Sequence, residues 1–370
     1  MRALFHHPHE DWTGSARAFA LAARGLAGRG WQVLFACCPD TEPHRRAAAM
    51  GLPVHPLERG DGLMAGSSAL SRALREQFVE VVFVHGERAH LAAASAAWRA
   101  ERGVIVRRFA VGEPVVVGRA VRATLRTAPT KLLCTWPDQA AAVPADLGVI
   151  GVVTSDLGVD VSAAPDGTAR TRREGPLRRL VCVHTRGTRA RSAMVLRTVA
   201  MLAPRHPELR VAFVGPGSDD EELRMHAAAL GVNRIVAHLG DAGEPADLFA
   251  DADLGWVIAD GDDGAFGVLD ALAAGVPVLV DRGSDAARYV PDAIGGVHLE
   301  PGDVAGAAAI VAQLLAHDAD RTAMGAAGRA RVARAYTAGS MLDGFSRAAD
   351  AARERHRPRA WGAKHPSERG

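Results

Sequence analysis

One stretch of the chain, residues 259–280, limits the possible folds more than any other. It begins polar and rich in glycine, continues through the helix-forming residues 268–274, stops at Gly275 and resumes as the apolar run 276–280. A loop, a helix, a tight turn and a β-branched strand in this order are typical of one repeating unit of a parallel sheet. The stretch therefore predicts an α/β protein.

The polar start of this stretch predicts a phosphate-binding loop. Gly264 and Gly267 lack side chains, so the backbone amides that begin the following helix can approach an anion closely. Asp262 lies ahead of the predicted helix and Asp270 inside it, and their carboxylates can accept hydrogen bonds from hydroxyl groups. We expect the two acids to lie on either side of a bound diphosphate.

The end of the stretch resembles the retaining glycosyltransferases of family four, which have the GT-B fold. In that family a glutamate, seven residues and a second glutamate precede Ala-(x)3-Gly-x-Pro-Val. Residues 271–278 match the second part of this pattern, and Asp262 and Asp270 stand at the glutamate positions. The resemblance implies that Asp262 contacts the hydroxyls of a donor sugar and that Asp270 contacts a ribose.

The beginning of the stretch departs from the family. Both glutamates are aspartates, and the family's Pro-Ser is replaced by Ile258 and Ala259. The family's Gly-Phe-Gly aligns with residues 263–265 or, in a shifted register, with residues 265–267. Both registers stay open, so the donor-binding residues expected in this loop are Gly264, Ala265, Phe266 and Gly267.

Length and the repetition of β-α units predict two domains. A chain of 370 residues is long enough for two cores. We expect an N-terminal Rossmann-like acceptor domain over residues 1–160, a linker over 161–178, a C-terminal Rossmann-like donor domain over 179–340, and a C-terminal helix with a basic tail over 341–370. The resemblance implies a GT-B architecture in which two parallel sheets face an interdomain cleft.

Composition limits the cellular locations and the binding partners expected for the protein. A net charge of +2 does not by itself indicate a basic face for nucleic acid, and no nucleic-acid partner is expected. The apolar residues occur in runs too short for a membrane span, and the N-terminus lacks a signal-peptide layout. We expect a cytoplasmic protein with reduced cysteines. Peripheral contact with the inner face of the membrane stays open, as does lipid or RNA contact of the basic tail.

The N-terminal half offers candidates on the acceptor side. Gly14 is the residue that remains of a glycine pair that the family carries after its first strand. His85 ends an apolar strand, where it either contacts the acceptor as a catalytic residue or only bonds to backbone. The loop around His6, His7, His9 and Glu10 lines a substrate cleft or, as an alternative, binds a metal. We expect no metal.

The strand over residues 104–109 departs from the family as well. Many relatives carry a histidine near the end of this strand, beside the transferred sugar. Arg107 and Arg108 occupy that region here. Two guanidinium groups favour a phosphate or a carboxylate over a neutral sugar.

Basic and glycine-rich loops supply the remaining donor-site candidates. The family places an arginine and, five residues later, a lysine after the first strand of its donor domain, and both contact the donor diphosphate. Arg186 and Arg191 have this spacing. Gly215 belongs to the turn that follows the next strand. The alternative is that the arginines form only a solvated basic loop.

The resemblance implies a metal-independent glycosyltransferase that moves a sugar from a nucleotide diphosphate sugar to a saccharide, lipid or small-molecule acceptor with retention of configuration. The nucleotide sugar is a co-substrate, and no other cofactor is expected. Because the acidic pair is altered, a GT-B protein that binds a nucleotide or a partner without catalysis is the alternative. A nucleotide-sugar epimerase or a phosphorylase of the same fold is a third candidate.

Overall fold

The computed structural model describes residues 1–57, 63–125, 127–147, 149, 151–162, 178–241, 245–291 and 293–354. The chain forms two compact units. Unit 1 contains residues 1–156 and the helix that follows residue 338, and unit 2 contains residues 157–338. Most of the predicted linker and the basic tail lie outside the described residues.

Unit 1 is a parallel sheet covered by helices. Its described strands are β1 (Arg2–His7), β2 (Gln32–Cys37), β3 (Val54–Pro56), β4 (Val81–His85), β5 (Val104–Arg108), β6 (Thr130–Cys134) and β7 (Val152–Thr154). Its helices include α1 (Gly14–Gly28), α2 (Glu42–Ala49), α3 (Leu63–Glu76), α4 (Glu87–Ala100), α5 (Arg119–Thr124) and α6 (Pro137–Ala141). The strands lie in the order β3-β2-β1-β4-β5-β6-β7, and every pairing is parallel.

Unit 2 repeats this plan. Its described strands are β8 (Arg178–Val183), β9 (Leu209–Val214), β10 (Val236–His238), β11 (Leu254–Val257), β12 (Val278–Asp281) and β13 (Gly296–Leu299). Its helices include α7 (Arg189–Leu202), α8 (Glu221–Ala229), α9 (Pro245–Phe249), α10 (Gly261–Ala273), α11 (Val304–Ala316) and α12 (Asp318–Ala335). The sheet order is β10-β9-β8-β11-β12-β13, again all parallel. The prediction of two Rossmann-like α/β domains is confirmed.

The strands are apolar because helices cover both faces of each sheet, as parallel sheets require. Alternate residues of neighbouring strands, such as Leu4, Val82 and Ile105, point to one face and pack in one buried cluster with residues of α3 and α4. The corresponding core of unit 2 joins Trp256 and Leu279 to residues of α7 and α11. Each unit therefore has a hydrophobic core of its own.

The last described helix, α13 (Ala338–Glu354), packs into unit 1. Phe345 is 1% exposed, and its ring centroid lies 5.4 Å from that of Phe83 and 6.2 Å from that of Phe5. The hydroxyl of Ser155 donates a hydrogen bond to the carbonyl of Met341 at 3.2 Å. The chain thus leaves unit 1, forms unit 2 and returns to complete the first core.

Buried histidines make unit 1 sensitive to acid. Burial lowers the pKa of His6 to about 4, and it lowers the pKa of His7 and of His90 to about 3. These groups stay neutral in the folded state while the unfolded chain takes up protons below its pKa of about 6.5. The unfolded state then binds more protons, so stability falls as pH decreases from 6.5 towards the folded values.

We expect the wild type to lose stability between pH 7.5 and pH 5.5, and His90→Gln to lose about 1.4 kcal/mol less over the same interval. Glutamine preserves a polar partner for Thr124, whose hydroxyl lies 3.1 Å from Nε2 of His90. Urea unfolding at the two pH values measures the difference, with the exposed His317→Gln as control. An unchanged pH dependence in His90→Gln would contradict the assignment.

Candidate functional site

The strand order of unit 2 places its candidate site after β8 and β11. These two strands are neighbours although they are distant in sequence, and chain connections leave them in opposite directions. Ligands of open α/β sheets bind outside the carboxyl ends of the strands at such a point. The residues that follow the two strands are the loop before α7 and the start of α10.

An ion pair joins the two elements at this point. Nη1 of Arg191, in the first turn of α7, donates to Oδ1 of Asp260 at 2.8 Å, and Nη2 donates to Oδ2. Asp260 is the residue immediately before α10. The pKa of Arg191 is raised, chiefly by its hydrogen bond to Asp260. A guanidinium group therefore faces the amino end of α10.

Helix α10 begins earlier than the sequence predicted. The expected loop from 259 to 267 was wrong, because the helix runs from Gly261 and Asp262 is in its first turn. Gly261 has a φ of 59°, a left-handed conformation that favours glycine. The predicted placement of Asp262 ahead of the helix is therefore wrong as well. Its carboxylate instead lies near the positive end of the helix dipole.

Gly264 and Gly267 serve close packing of α10. A Cβ on Gly264 would lie 2.3 Å from the carbonyl oxygen of Ala259, and one on Gly267 would lie 3.0 Å from Cγ1 of Val183. Ala265 and Phe266, between them, are 0% and 2% exposed. Gly267 thus brings the helix against strand β8, and Gly264 lets it pack on the backbone of Ala259. The amides available to an anion are those of the first turn.

The two predicted acidic residues lie on the same helix. Asp262 and Asp270 are each 4% exposed. Eight residues of α-helix separate them by about 12 Å along the axis and by about 80° around it. The two carboxylates are therefore too far apart to bind the same small group.

Arg186 and Gly215 lie beside the carboxyl end of β8. Cγ of the exposed Arg186 lies 3.1 Å from the position that a Cβ on Gly217 would take. Gly215 has a φ of 109°, and its missing Cβ would lie 2.2 Å from the carbonyl oxygen of His184. The loop after β9 can approach β8 only because this residue is glycine. The structure places Arg186 over this loop.

Two further acids, in a segment that the sequence assigned only to the wall of the cleft, lie near Asp260. Burial raises the pKa of Asp281, at the end of β12, and that of Asp285, and the charge of Asp260 raises both further. The charge of Arg191 opposes the shift of Asp281. Their position at the carboxyl end of β12 was the signal that could have identified them.

The predicted residues of unit 1 are His85 and Gly14. Nδ1 of His85 lies 3.3 Å from the carbonyl oxygen of Arg108 and 3.6 Å from Oε2 of Glu113. The carbonyl can only accept, so this contact favours a proton on Nδ1 and leaves Nε2 as an acceptor. Gly14 is buried and begins α1. Both residues lie at the carboxyl edge of the sheet, which is where Rossmann-like domains bind ligands.

The histidine loop after β1 shows no metal-binding geometry within the described residues. His6 and His7 are successive residues of a strand and therefore point to opposite faces of the sheet. The ring of His7 instead packs edge-on against that of His9, with centroids 5.5 Å apart. Arg107 is 3% exposed and lies over the ring of Phe109 at 4.7 Å.

Comparison with known proteins finds a family match within the sequence of unit 2. Residues 170–331 match the family model described as glycosyl transferases group 1. Arg186, Arg191, Gly215 and the whole of α10 lie inside this segment. No curated protein sequence matches the chain significantly.

Solved structures share the fold across both units. A glycosyltransferase from Rickettsia africae has a TM-score of 0.77 at 12% identity, covering 95% of this chain and 98% of its own. Anabaena HepE, in complex with UDP and glucose, has a TM-score of 0.75 at 16% identity, covering 94% and 98%. A protein of Listeria monocytogenes, described as a putative UDP-N-acetylglucosamine 2-epimerase, has a TM-score of 0.63 at 14% identity. The match covers 98% of this chain and 99% of the Listeria chain. The predicted GT-B fold class is confirmed.

None of the described helices combines the length and the apolar character needed to cross a membrane.

Proposed function

We propose that the protein is a glycosyltransferase that transfers a sugar from a nucleoside diphosphate sugar to an acceptor. One observation supports this more than any other. Arg191 faces the first turn of α10 at the switch point of unit 2, within the segment that matches the group 1 family. A guanidinium group and helix-start amides at one place are suited to a diphosphate.

The departing diphosphate accumulates negative charge, and its stabilisation is the main task of the site. Arg191, Arg186 and the first amides of α10 would supply it. Asp262 would accept hydrogen bonds from donor-sugar hydroxyls, and Asp270 from the ribose. Aspartate is shorter than glutamate by one carbon–carbon bond, about 1.5 Å. Each contact therefore needs a closer backbone or a bridging water.

The remaining roles follow from the family resemblance. Transfer would retain the anomeric configuration and need no metal. In unit 1, His85 would contact the acceptor and Gly14 would belong to the substrate-binding loop after β1. The acceptor would be a saccharide, a lipid or a small molecule. UDP-glucose is the first donor to test, because the Anabaena structures hold UDP and glucose.

Turnover with UDP-glucose and a panel of acceptors tests the proposal, with proton NMR of the product to assign its anomeric configuration. Asp270→Asn should weaken UDP binding about tenfold, since the amide keeps the size of the carboxylate but not its charge. The control is Asp251→Asn, which changes an exposed acid paired with Arg179. An inverted product would exclude retention. Absence of UDP binding by the wild type would exclude a uridine nucleotide donor.

A non-catalytic nucleotide-binding protein is the second candidate, because both family glutamates are shorter aspartates here and Arg191 is paired with Asp260. Nucleotide binding without turnover on any acceptor would favour it. A nucleotide-sugar epimerase would instead release the nucleotide without an acceptor. The structural likeness to the Listeria protein makes this outcome worth measuring in the same assay.

We further propose a cytoplasmic location with peripheral contact at the inner face of the membrane. A groove of about 400 Å³ in unit 1 supports the contact, because three arginines, Arg72, Arg75 and Arg99, line it together with one acid, Glu76. Sedimentation with anionic and with neutral phospholipid vesicles distinguishes charge-dependent contact from none.

A further inference from the structure

The side chain of Asp260 does not perform the role that its position offers. Asp260 is the N-cap residue of α10, and aspartate at this position usually accepts a hydrogen bond from the amides of the first turn. Its backbone is extended as in an N-cap, yet its side chain makes no capping hydrogen bond. Both carboxylate oxygens instead accept from Arg191. The first-turn amides receive no hydrogen bond from this side chain.

The charge of Asp260 is unfavourable for two other carboxylates close to it. Its charge raises the pKa of Asp281 and of Asp285. Asp281 is 6% exposed, and its Oδ1 has no hydrogen-bond partner among the described residues. The cations that oppose these acids are Arg191 for Asp281 and Arg288 for Asp285. An arriving diphosphate would add further negative charge to this group of carboxylates.

In its pair with Asp260, Arg191 uses the same two-donor arrangement that it would use to bind a phosphate. A guanidinium group binds carboxylate and phosphate alike through two parallel N–H donors. Arg191 cannot present the same two donors to both. The side chain of Asp260 is 60% exposed, so it can turn into solvent while its carbonyl continues to accept from the amide of Gly264 at 3.1 Å.

We infer that Asp260 occupies the phosphate position of Arg191 in the free protein and that a nucleoside diphosphate binds only by displacing it. The inference rests on the proposed function, since it assumes that Arg191 binds the donor diphosphate. Asp260 is then a determinant of donor affinity that acts against binding. Removal of its charge should strengthen binding in proportion to the number of phosphates on the ligand.

Calorimetric titration of the full chain with UDP, UMP and uridine tests this inference. Asp260→Asn and Asp260→Ala should both bind UDP about tenfold more tightly than the wild type, because each removes the competing charge. The gain should be smaller for UMP and absent for uridine. Asp260→Glu keeps the charge and should gain nothing. Asp251→Asn makes the same charge change at an exposed site and should also gain nothing.

Two further outcomes overturn the inference. Tighter binding in Asp260→Asn alone would mean that asparagine had improved the cap of α10, since alanine removes the charge without capping. Unchanged or weaker UDP binding in both variants would mean that Asp260 does not compete. Either result leaves the donor site intact if the wild type binds UDP. If neither the wild type nor any variant binds UDP, the uridine nucleotide donor and the inference both fail.

Discussion

Replacing Gly264 with alanine is expected to lower the free energy of unfolding of unit 2 by about 3 kcal/mol. The added Cβ would lie 2.3 Å from the carbonyl oxygen of Ala259 and 3.5 Å from Cβ of Ala286. The first of these contacts is with backbone, which cannot move aside as a flexible side chain can. Alanine is about 1 kcal/mol more favourable than glycine inside a helix, so helix propensity alone would predict a more stable variant. The expected loss of stability therefore reports packing.

A matched substitution separates packing from propensity. Gly66 is also a helical glycine, in α3, and no atom lies within 4 Å of the position of its missing Cβ. Gly66→Ala should therefore stabilise the protein by about 0.5–1 kcal/mol. Urea unfolding of both variants measures the contrast. A stable Gly264→Ala would mean that the start of α10 can shift, and the close packing assigned to Gly264 would be wrong.

The same packing explains why the start of α10 could not be predicted from the sequence. Gly261, Gly264 and Gly267 within seven residues are a pattern that local rules assign to a loop. In the structure, the contact of Gly267 with Val183 requires a residue without a side chain inside the helix. Tertiary contact thus overrides the intrinsic preference of glycine. The strand that follows was easier to predict, because local preference and burial in the sheet both favour a strand for its apolar run.

The partner of Arg191 was also beyond local reasoning. The spacing of Arg186 and Arg191 indicated a basic site, but Asp260 is 69 residues away in sequence from Arg191. Only the parallel pairing of β8 with β11 brings the two together. A local sequence pattern cannot predict which strands pair unless the strand order is already known. For the same reason, the return of α13 to unit 1 depends on contacts between distant parts of the chain.

Substitution of Arg191 by methionine is expected to weaken UDP binding about a hundredfold. A charge-assisted hydrogen bond contributes about 1.5–3 kcal/mol, and each 1.4 kcal/mol corresponds to a factor of ten. Methionine preserves most of the apolar length of the side chain but donates no hydrogen bond. Arg191→Lys should lie between the wild type and Arg191→Met, since an ammonium group keeps the charge and loses the planar fork.

A control variant and a double variant make this prediction specific to Arg191. Arg179→Met removes an arginine of the same unit that pairs with Asp251 and should leave UDP affinity unchanged. In the Arg191→Met background, Asp260→Asn should gain less than in the wild type, because the two residues act on one another and their effects do not add. Full retention of UDP binding by Arg191→Met would place the diphosphate away from α7. Equal gains in both backgrounds would show that Asp260 repels the ligand without competing for Arg191.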